Sequence, residues 1–327
     1  MIGWYVHSHG LGHLHRLQSI NAHLRTPVTV LSSLPRPAGW QQEWVQLAQD
    51  LPRGEHTDPT AGGTLHWAPR HHPGLLERAA QLTAWVARAR PSLVVVDVSV
   101  EVAVLVRTLG VPVIVVAMRG DRTDRPHRTA YDLAEALLAP WPAALAEPWP
   151  DSWLRKTWHV GAMSRLDGRP ATPAPGRRQV LLLWGTGGSE VTVRDVQAAV
   201  AGTPDWSWEL LGLGGGWAGD PWGQLQKADV VVTHAGQNAL AEVAAARRPA
   251  VVVPQVRPYG EQTATARALQ AGGLALVFPS WPSPDRWPGL LEQTAARDGA
   301  AWATWSDGRA AERAAALLQG AHDRLAA

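Results

Sequence analysis

The chain contains no cysteine, and its only lysines are Lys156 and Lys227. The lack of cysteine excludes a disulfide framework, a thiolate nucleophile and a cysteine zinc site, so any metal would need histidine and carboxylate ligands. No apolar run reaches the roughly 18 residues that a membrane span requires. With 30 basic and 28 acidic side chains the formal net charge is +2, a balance that gives no support to nucleic-acid binding.

Phenylalanine and tyrosine are scarce, with one and three residues, whereas tryptophan occurs 18 times. Residues 140–158 concentrate four of these tryptophans: Trp141, Trp149, Trp153 and Trp158. One interpretation is a glycan-stacking patch or a weak peripheral membrane contact. We favour core filling, because tryptophan is the only aromatic residue in good supply.

A length of 327 residues corresponds to about two domains. Proline, glycine and arginine replace the apolar pattern over residues 165–178, which predicts a linker. The expected organisation is an N-terminal domain over 1–164, the linker, and a C-terminal domain over 179–327 with a closing helix. We interpret the first apolar run, residues 2–6, as a strand rather than a signal peptide, and expect a cytoplasmic protein.

Short continuous apolar runs alternate with stretches of helical spacing in both halves of the chain. Runs that are apolar on both faces are typical of strands buried in a parallel sheet. Nine strands are predicted: 2–6, 28–31, 93–96, 111–117, 180–184, 208–213, 230–232, 250–253 and 274–278. The sequence therefore predicts an α/β fold of two Rossmann-like, doubly wound domains that face each other across a cleft.

Ligands of such sheets bind beyond the carboxyl ends of the strands, where the run 180–184 is followed by a glycine-rich turn. Gly185, Gly187 and Gly188 would let a phosphate approach backbone amides. Thr186 and Ser189 add hydroxyl donors. The turn lacks the lysine of a P-loop, so an ordinary glycine-rich turn is the alternative.

The strand over 230–232 is followed by the segment THAGQNALAE, which places several polar groups at one strand-to-helix junction. Gly236 permits a sharp turn, and Asn238 falls in the first helical turn, where the helix dipole favours an anion. Glu242 returns to the same helix face, where it suits the two hydroxyls of a ribose, while His234 and Asn238 would hold the attached phosphates. The alternatives are a capping role for His234 and a solvated helix charge for Glu242.

The run from His234 to Glu242, followed by Pro249 and Pro254, resembles the sugar-nucleotide signature of inverting GT-B glycosyltransferases of family 28 and family 1 (UDP-glycosyltransferase-like). The resemblance implies that residues at the helix start hold the diphosphate and that Glu242 holds the ribose. It also implies that a later acidic–glutamine pair contacts the sugar hydroxyls. The donor-binding residues would then be Gly185, Thr186, Gly187, Gly188, Ser189, His234, Gly236, Gln237, Asn238, Glu242, Glu261 and Gln262.

The first half of the chain agrees with this resemblance. The segment HSHGLGH is similar to the family's N-terminal glycine loop, here Gly10 and Gly12, whose histidine acts as the base in many members. That residue would be His13, oriented by the strand-end Asp97. The implied enzyme is an inverting, metal-independent transferase without a cofactor; it moves a sugar from a UDP-sugar co-substrate to a small-molecule, glycan or lipid-linked acceptor.

Other functions stay open on the sequence. A nucleotide-sugar hydrolase or 2-epimerase would share the fold and the donor. A non-catalytic nucleotide-binding protein is a third reading, although the glycine loop is not G-x-G-x-x-G. The histidines at 7, 9, 13 and 15 have no carboxylate beside them to complete a zinc set, and Asp121 and Asp124 have the wrong spacing for a D-x-D motif, so we predict no metal site.

Overall fold

The computed structural model describes residues 1–8, 11–51, 54–185, 188–216 and 219–326. Its strands form two parallel sheets. The first sheet has the order β3-β2-β1-β4-β5-β6-β7 and the second the order β12-β11-β10-β8-β9. The strands are β1 (Ile2–Val6), β2 (Val28–Ser32), β3 (Trp44–Gln46), β4 (Leu93–Asp97), β5 (Val113–Val116), β6 (Ala136–Ala139), β7 (Thr157–His159), β8 (Gln179–Leu183), β9 (Ser207–Leu211), β10 (Val230–Thr233), β11 (Ala250–Val252) and β12 (Leu276–Val277).

Helices connect these strands and cover both faces of each sheet, as the alternating pattern predicts. They are α1 (Gly12–Asn21), α2 (Pro73–Ala89), α3 (Val100–Thr108), α4 (Arg125–Leu133), α5 (Asp151–Leu154), α6 (Val193–Ala201), α7 (Trp222–Lys227), α8 (Gln237–Ala246), α9 (Glu261–Ala271), α10 (Trp287–Ala295) and α11 (Ala310–Ala326). No described helix is long and apolar enough to cross a membrane.

Both sheets reverse their strand order, and each reversal creates a crevice beyond the strand ends. In the first sheet it lies between β1 and β4, which end at Val6 and Asp97. In the second it lies between β8 and β10, which end at Leu183 and Thr233. The predicted glycine loop, Asp97, the glycine-rich turn and the THAGQN segment therefore all follow strands that flank a crevice.

All nine predicted strands are present, and three further strands escaped the sequence pattern. These are β3, β6 and β7, which have three or four residues each. β3 and β7 are only half-buried or exposed, so they lack the continuous apolar run that a buried strand shows. β6 is fully buried, but its sequence, ALLA, is too short to separate from a helical stretch.

The tryptophan-rich segment fills the interior of the first domain, as the core-filling interpretation predicts. Trp149 contacts Trp141 and Trp153 edge to face, and Tyr131 packs against Trp149 and Trp153. The buried Arg119 guanidinium lies 4.8 Å from the Trp141 ring and 5.3 Å from the ring of Trp305 in the second half of the chain. It also pairs with the carboxylate of Glu147.

The closing helix α11 packs on the first domain, not on the second. Its buried alanines share a core with Leu14 and Leu17 of α1 and with Ile2 of β1. Alanine side chains let two helices approach closely, which suits the contact between α11 and α1. The sequence grouped this helix with the C-terminal domain; the chain instead crosses back and covers the N-terminal sheet.

Candidate functional site

His13 and Asp97 meet at the crevice of the first sheet. His13 lies in the first turn of α1, and its Nδ1 donates to Asp97 Oδ1 at 2.8 Å. Asp97 is the last residue of β4 and is fully buried. Its Oδ1 and Oδ2 also accept from Nη1 of Arg16, at 2.6 and 2.8 Å. Arg16 follows His13 by three residues, the spacing that places two side chains on one helix face.

The Asp97 carboxylate is ionised despite its burial. Burial by itself raises its pKa, but the charge of Arg16 and the hydrogen bonds from His13 and Arg16 hold the pKa below the usual range. An ionised Asp97 accepts the Nδ1–H of His13 and so fixes the tautomer in which Nε2 carries a lone pair. That nitrogen is then available to accept a proton.

Two contacts join this group to the second domain. Arg16 Nη2 donates to Oε1 of Gln237, the first residue of α8, at 2.7 Å. A Cβ at Gly12 would come within 2.4 Å of the Asn238 amide nitrogen, so the glycine of the N-terminal loop is needed for this close approach. The N-termini of α1 and α8 therefore face each other across the cleft. Asn238 is exposed there, as the sequence prediction requires.

Glu242 is buried, with 8% of its surface exposed, and is not a solvated helix charge. Its Oε1 accepts from Nε of Arg165 at 2.8 Å. Burial raises the pKa of Glu242, and the hydrogen bond and charge of Arg165 oppose the increase. Arg165 also donates to the Gly219 carbonyl at 2.5 Å. The residue that the sequence assigned to the linker is thus the ionic partner of the predicted ribose ligand.

A narrow cleft with about 30 Å³ of free volume lies between the domains at this point. Arg16, Gln237, Asn238, Glu242 and Arg165 all line it. The structure therefore brings the predicted ribose and diphosphate residues of α8 together with the Asp97 partner from α1. Converging polar groups at a domain interface are typical of small-molecule sites.

His234 lies beneath the strand-to-helix junction. Its Nδ1 accepts from the Gly236 amide at 2.9 Å, and the Gly185 amide lies 3.2 Å from its Nε2. A Cβ on Gly236 would approach the ring to 2.3 Å. Burial, followed by the charge of Arg257, lowers the pKa of His234 to about 4, so the ring is neutral at pH 7. This local contact matches the capping role that the sequence left open.

The glycine-rich turn is held by hydrogen bonds within its own segment and by one from Arg257. Ser189 Oγ accepts from Trp184 Nε1 at 3.0 Å and donates to the Val191 carbonyl at 2.8 Å. Nη2 of Arg257 donates to the Gly188 carbonyl at 2.8 Å. The Ser189 hydroxyl is therefore not the free donor that the sequence predicted. Gly10, Thr186 and Gly187 lie outside the described residues.

Glu261 and Gln262 begin α9, but they occupy different environments. Gln262 is buried, and its Oε1 accepts from the Gln255 amide at 2.9 Å. Burial raises the pKa of Glu261, and the opposing charges are, in order, Arg122, Arg16, His13 and Arg257. Three of these four belong to the first domain, so Glu261 faces the cleft while the Gln262 carbonyl is turned to the interior.

A larger cavity, about 330 Å³, opens in the first domain beside this site. The His7 ring in its wall lies 5.9 Å from the ring of His13. Aromatic side chains form much of the lining: Tyr5, His66, Trp67, His127 and Tyr131. His13 therefore neighbours both spaces, because Arg16, which shares Asp97 with it, lines the cleft and His7 lines the cavity.

Within the described ranges, one group of histidine and carboxylate side chains is close enough to hold a metal ion. Its ligand atoms, from His66, Asp124 and His127, lie within 4.8 Å of one another. The Asp124 carboxylate accepts hydrogen bonds from both rings. Nη1 of Arg122 lies 3.2 Å from His127 Nε2, and its charge opposes a second cation there. We call these three residues the histidine cluster and interpret it as hydrogen-bonded.

Residues 223–283 match the model of the glycosyltransferase family 28 C-terminal domain. This range contains α8 with Asn238 and Glu242, and it extends through Glu261 and Gln262. No curated protein matches the chain.

Solved structures of glycosyltransferases are similar over nearly the whole chain. The glycotransferase of kitacinnamycin has 20% identity and a TM-score of 0.65, with 99% of this chain and 98% of that one covered. The spinosyn rhamnosyltransferase complexed with thymidine diphosphate has 16% identity and a TM-score of 0.64, with 98% and 99% covered. A Phytolacca americana enzyme complexed with UDP-2-fluoro-glucose and pterostilbene has 13% identity and a TM-score of 0.62, with 99% and 98% covered.

The chain has the GT-B fold. Together with the family match at residues 223–283, this fold confirms the predicted resemblance to family 28 and family 1 glycosyltransferases. The prediction of an enzyme of the glycosyltransferase type is confirmed as well.

Three arginines of the site were missed from the sequence. Arg16 was detectable, because it lies one helical turn beyond His13. Arg165 was hidden in a segment whose composition is that of a linker, and its partner is 77 residues away. Arg257 stands in an irregular stretch, and its position beside the Gly188 carbonyl follows only from the tertiary fold.

Proposed function

We propose that the chain transfers a sugar from a nucleoside diphosphate sugar to an acceptor hydroxyl, with inversion and without a metal. The observation that carries this proposal is the position of the His13–Asp97 pair. Arg16, which also bonds Asp97, lines the cleft with Asn238 and Glu242, and His7, whose ring lies 5.9 Å from that of His13, lines the aromatic cavity of the first domain. In this proposal the pair supplies the base at the point where a donor from one side and an acceptor from the other meet.

His13 Nε2 takes the proton of the acceptor hydroxyl, and the oxygen forms a bond to the anomeric carbon. The bond from that carbon to the β-phosphate oxygen breaks, and its electron pair leaves with the nucleoside diphosphate. A single displacement inverts the anomeric centre. Asp97 holds the His13 ring and stabilises the imidazolium that forms, in the way carboxylates support catalytic histidines.

The leaving diphosphate is stabilised by fixed dipoles and charges. The N-terminus of α8 and the Asn238 amide face the cleft, and Arg16 and Arg165 line it. Glu242 binds the ribose hydroxyls through the oxygen that Arg165 leaves open, and Glu261 contacts the sugar. UDP is our first choice of nucleotide, and thymidine diphosphate, found with the spinosyn enzyme, is the second.

Two measurements test this proposal. A mass-spectrometric screen of nucleotide sugars and acceptors should detect glycosylated product, and His13→Ala should lower its rate by about 10²–10⁴-fold. The dissociation constant of UDP, measured by calorimetry, should be nearly unchanged in His13→Ala. In Glu242→Gln it should rise by about tenfold, because charged hydrogen bonds to ribose are lost.

His23→Ala, at an exposed histidine two residues beyond α1, is the matched control and should behave like the wild type. Free sugar released without an acceptor as fast as with one would favour the hydrolase reading over transfer. Equal UDP affinity in the wild type and Glu242→Gln would remove the ribose assignment.

A further inference from the structure

The two histidines of the histidine cluster, His66 and His127, line the aromatic cavity, and the cluster has no part in the mechanism above. His66 is half-buried and stands in an irregular segment. Its Nε2 lies 2.8 Å from Asp124 Oδ2, and the two histidine rings are 4.4 Å apart. The ring of Tyr259, from the second domain, packs at 4.6 Å from His127 and 5.5 Å from His66.

The protons of this cluster can be placed one by one. Arg122 has only donors, so its Nη1 donates to Nε2 of His127, whose Nδ1 then carries the proton and donates to Asp124. Burial, then the charge of Arg122, lowers the pKa of His127 to about 4, which agrees with a neutral ring. The pKa of Asp124 is also lowered: burial opposes this, and the hydrogen bonds of His66 and His127 bring it about.

An ionised Asp124 has only acceptor oxygens, so His66 must donate through its Nε2–H. In a neutral imidazole the other nitrogen, Nδ1, then carries a lone pair. Within the described part of the chain, no group forms a hydrogen bond with His66 Nδ1. This nitrogen is also absent from the buried side-chain atoms that lack a partner, so it is not fully buried. Since His66 lines the cavity, this lone pair is available to a bound molecule.

His66 is also held from its backbone side. Oε1 of Glu101 accepts from the amides of His66 and Trp67, at 2.8 and 2.9 Å. Trp67 Nε1 donates to the Asp50 carbonyl at 2.7 Å. The segment has no regular secondary structure, yet the Glu101 carboxylate holds the backbone of His66 and the Asp124 carboxylate holds its ring. A polar group fixed in this way needs little ordering when it binds, which is the property of a specificity contact.

We propose that His66 Nδ1 accepts a hydrogen bond from a second hydroxyl of the acceptor, remote from the hydroxyl that His13 deprotonates. The acceptor would be an aromatic or polycyclic alcohol with at least two hydroxyl groups. Its apolar body would lie among Tyr5, Trp67 and Tyr131. The inference rests on the proposed function, because it takes the cavity as the acceptor site, and it adds the class of acceptor and the residue that selects it.

The test measures binding of two probes without any donor, so it does not depend on transfer. The probes are a dihydroxynaphthalene and the matching naphthol, which differ by one hydroxyl. Calorimetry should give the wild type about five- to tenfold tighter binding of the dihydroxy probe, the range expected for one hydrogen bond. The ratio of the two dissociation constants, naphthol over dihydroxynaphthalene, measures the contribution of the second hydroxyl to binding.

His66→Gln is the decisive variant, because the glutamine Nε2 can still donate to Asp124 but offers no acceptor at the place of Nδ1. Its ratio should fall to about one, whereas a merely structural His66 would leave it unchanged. His66→Asn, whose Oδ1 takes about the place of Nδ1, should keep an intermediate ratio. His23→Gln is the matched control and should keep the wild-type ratio.

The inference is overturned if the wild type binds neither probe, if His66→Gln keeps the wild-type ratio, or if His66→Asn falls below His66→Gln. Thermal unfolding midpoints establish that the variants are folded. Selective binding without any glycosylated product would leave the role of His66 standing and refute the transfer reaction, so the two proposals can fail separately.

Discussion

Replacing Asp97 by asparagine removes one charge from the centre of the site with almost no change of shape. Asp97 is fully buried, and its three hydrogen bonds to His13 and Arg16 are between 2.6 and 2.8 Å long. The variant leaves the buried Arg16 guanidinium without its anion. Breaking a buried ion pair in this way destabilises a protein by about 3–5 kcal/mol, and we expect Asp97→Asn to lose that amount at pH 7.

The loss of unfolding free energy in Asp97→Asn should become smaller as the pH falls. The folded state holds the pKa of Asp97 below the value of about 3.9 for an unfolded aspartate. The ionised carboxylate therefore contributes stability that is complete above about pH 4 and is lost as the pH falls through the lowered pKa. Below that pH the wild type carries a neutral carboxyl that resembles the asparagine amide. The difference between the two proteins should shrink accordingly.

Catalysis should fall together with stability. An asparagine can donate to His13 as well as accept from it, so the tautomer with a lone pair on Nε2 is no longer enforced, and we expect kcat to drop by about 10²–10⁴-fold. Urea unfolding at pH 7 and pH 3.5 and the rate of glycosyl transfer measure these effects. A folded Asp97→Asn protein with wild-type kcat would refute the His13–Asp97 mechanism. A stability difference that does not shrink in acid would refute the ion-pair argument.

Three further substitutions test the fold and the cleft. Glu147→Gln leaves the buried Arg119 unpaired and should lower the free energy of unfolding by about 3–5 kcal/mol in urea. Burial raises the pKa of Asp167 to about 6, so its ionisation destabilises the folded state as the pH rises from about 4 to 6. Asp167→Asn should remove this loss and stabilise the protein at pH 7 by up to about 3 kcal/mol. Gly12→Ala should keep the fold but displace the Asn238 amide and weaken UDP binding several-fold by calorimetry.

Each substitution has a control on the same chain. Asp205→Asn and Glu312→Gln alter exposed carboxylates and should leave unfolding unchanged. A Cβ at Gly289, within α10, meets nothing, so Gly289→Ala should keep the UDP affinity. A wild-type affinity in Gly12→Ala, no loss in Glu147→Gln, or an Asp167→Asn stability curve parallel to that of the wild type would contradict the respective argument.

The sheets were predictable because buried parallel strands leave a plain signal, a short run apolar on both faces. Ligands of such sheets bind beyond the carboxyl ends of the strands, and this rule predicted the positions of His13, Asp97, Asn238 and Glu242 at the crevices without any tertiary information. β6 was missed because four residues cannot distinguish a strand from a helix. The packing of α11 on the first domain was also missed, since an alanine-rich helix face does not indicate its partner.

Side-chain direction was the part that the sequence could not supply. His234 and Gln262 have the residue types of ligand contacts, yet their ring and carbonyl atoms meet Gly236 and Gln255 inside the second domain. His66 had no motif to mark it, because its partners Glu101 and Asp124 are 35 and 58 residues away. Such long-range pairs become visible only when the chain is folded.

The two carboxylates of the site pose an electrostatic problem that the motifs do not address. Asp97 and Glu242 both lie buried beside a cleft that we expect to receive a diphosphate, and two buried anions would repel it. In the structure Arg16 pairs with the first and Arg165 with the second. Each pair leaves its local site near neutrality before the ligand arrives, so the α8 N-terminus can attract the diphosphate. We therefore expect replacement of either arginine to weaken diphosphate binding, although neither belongs to the signature.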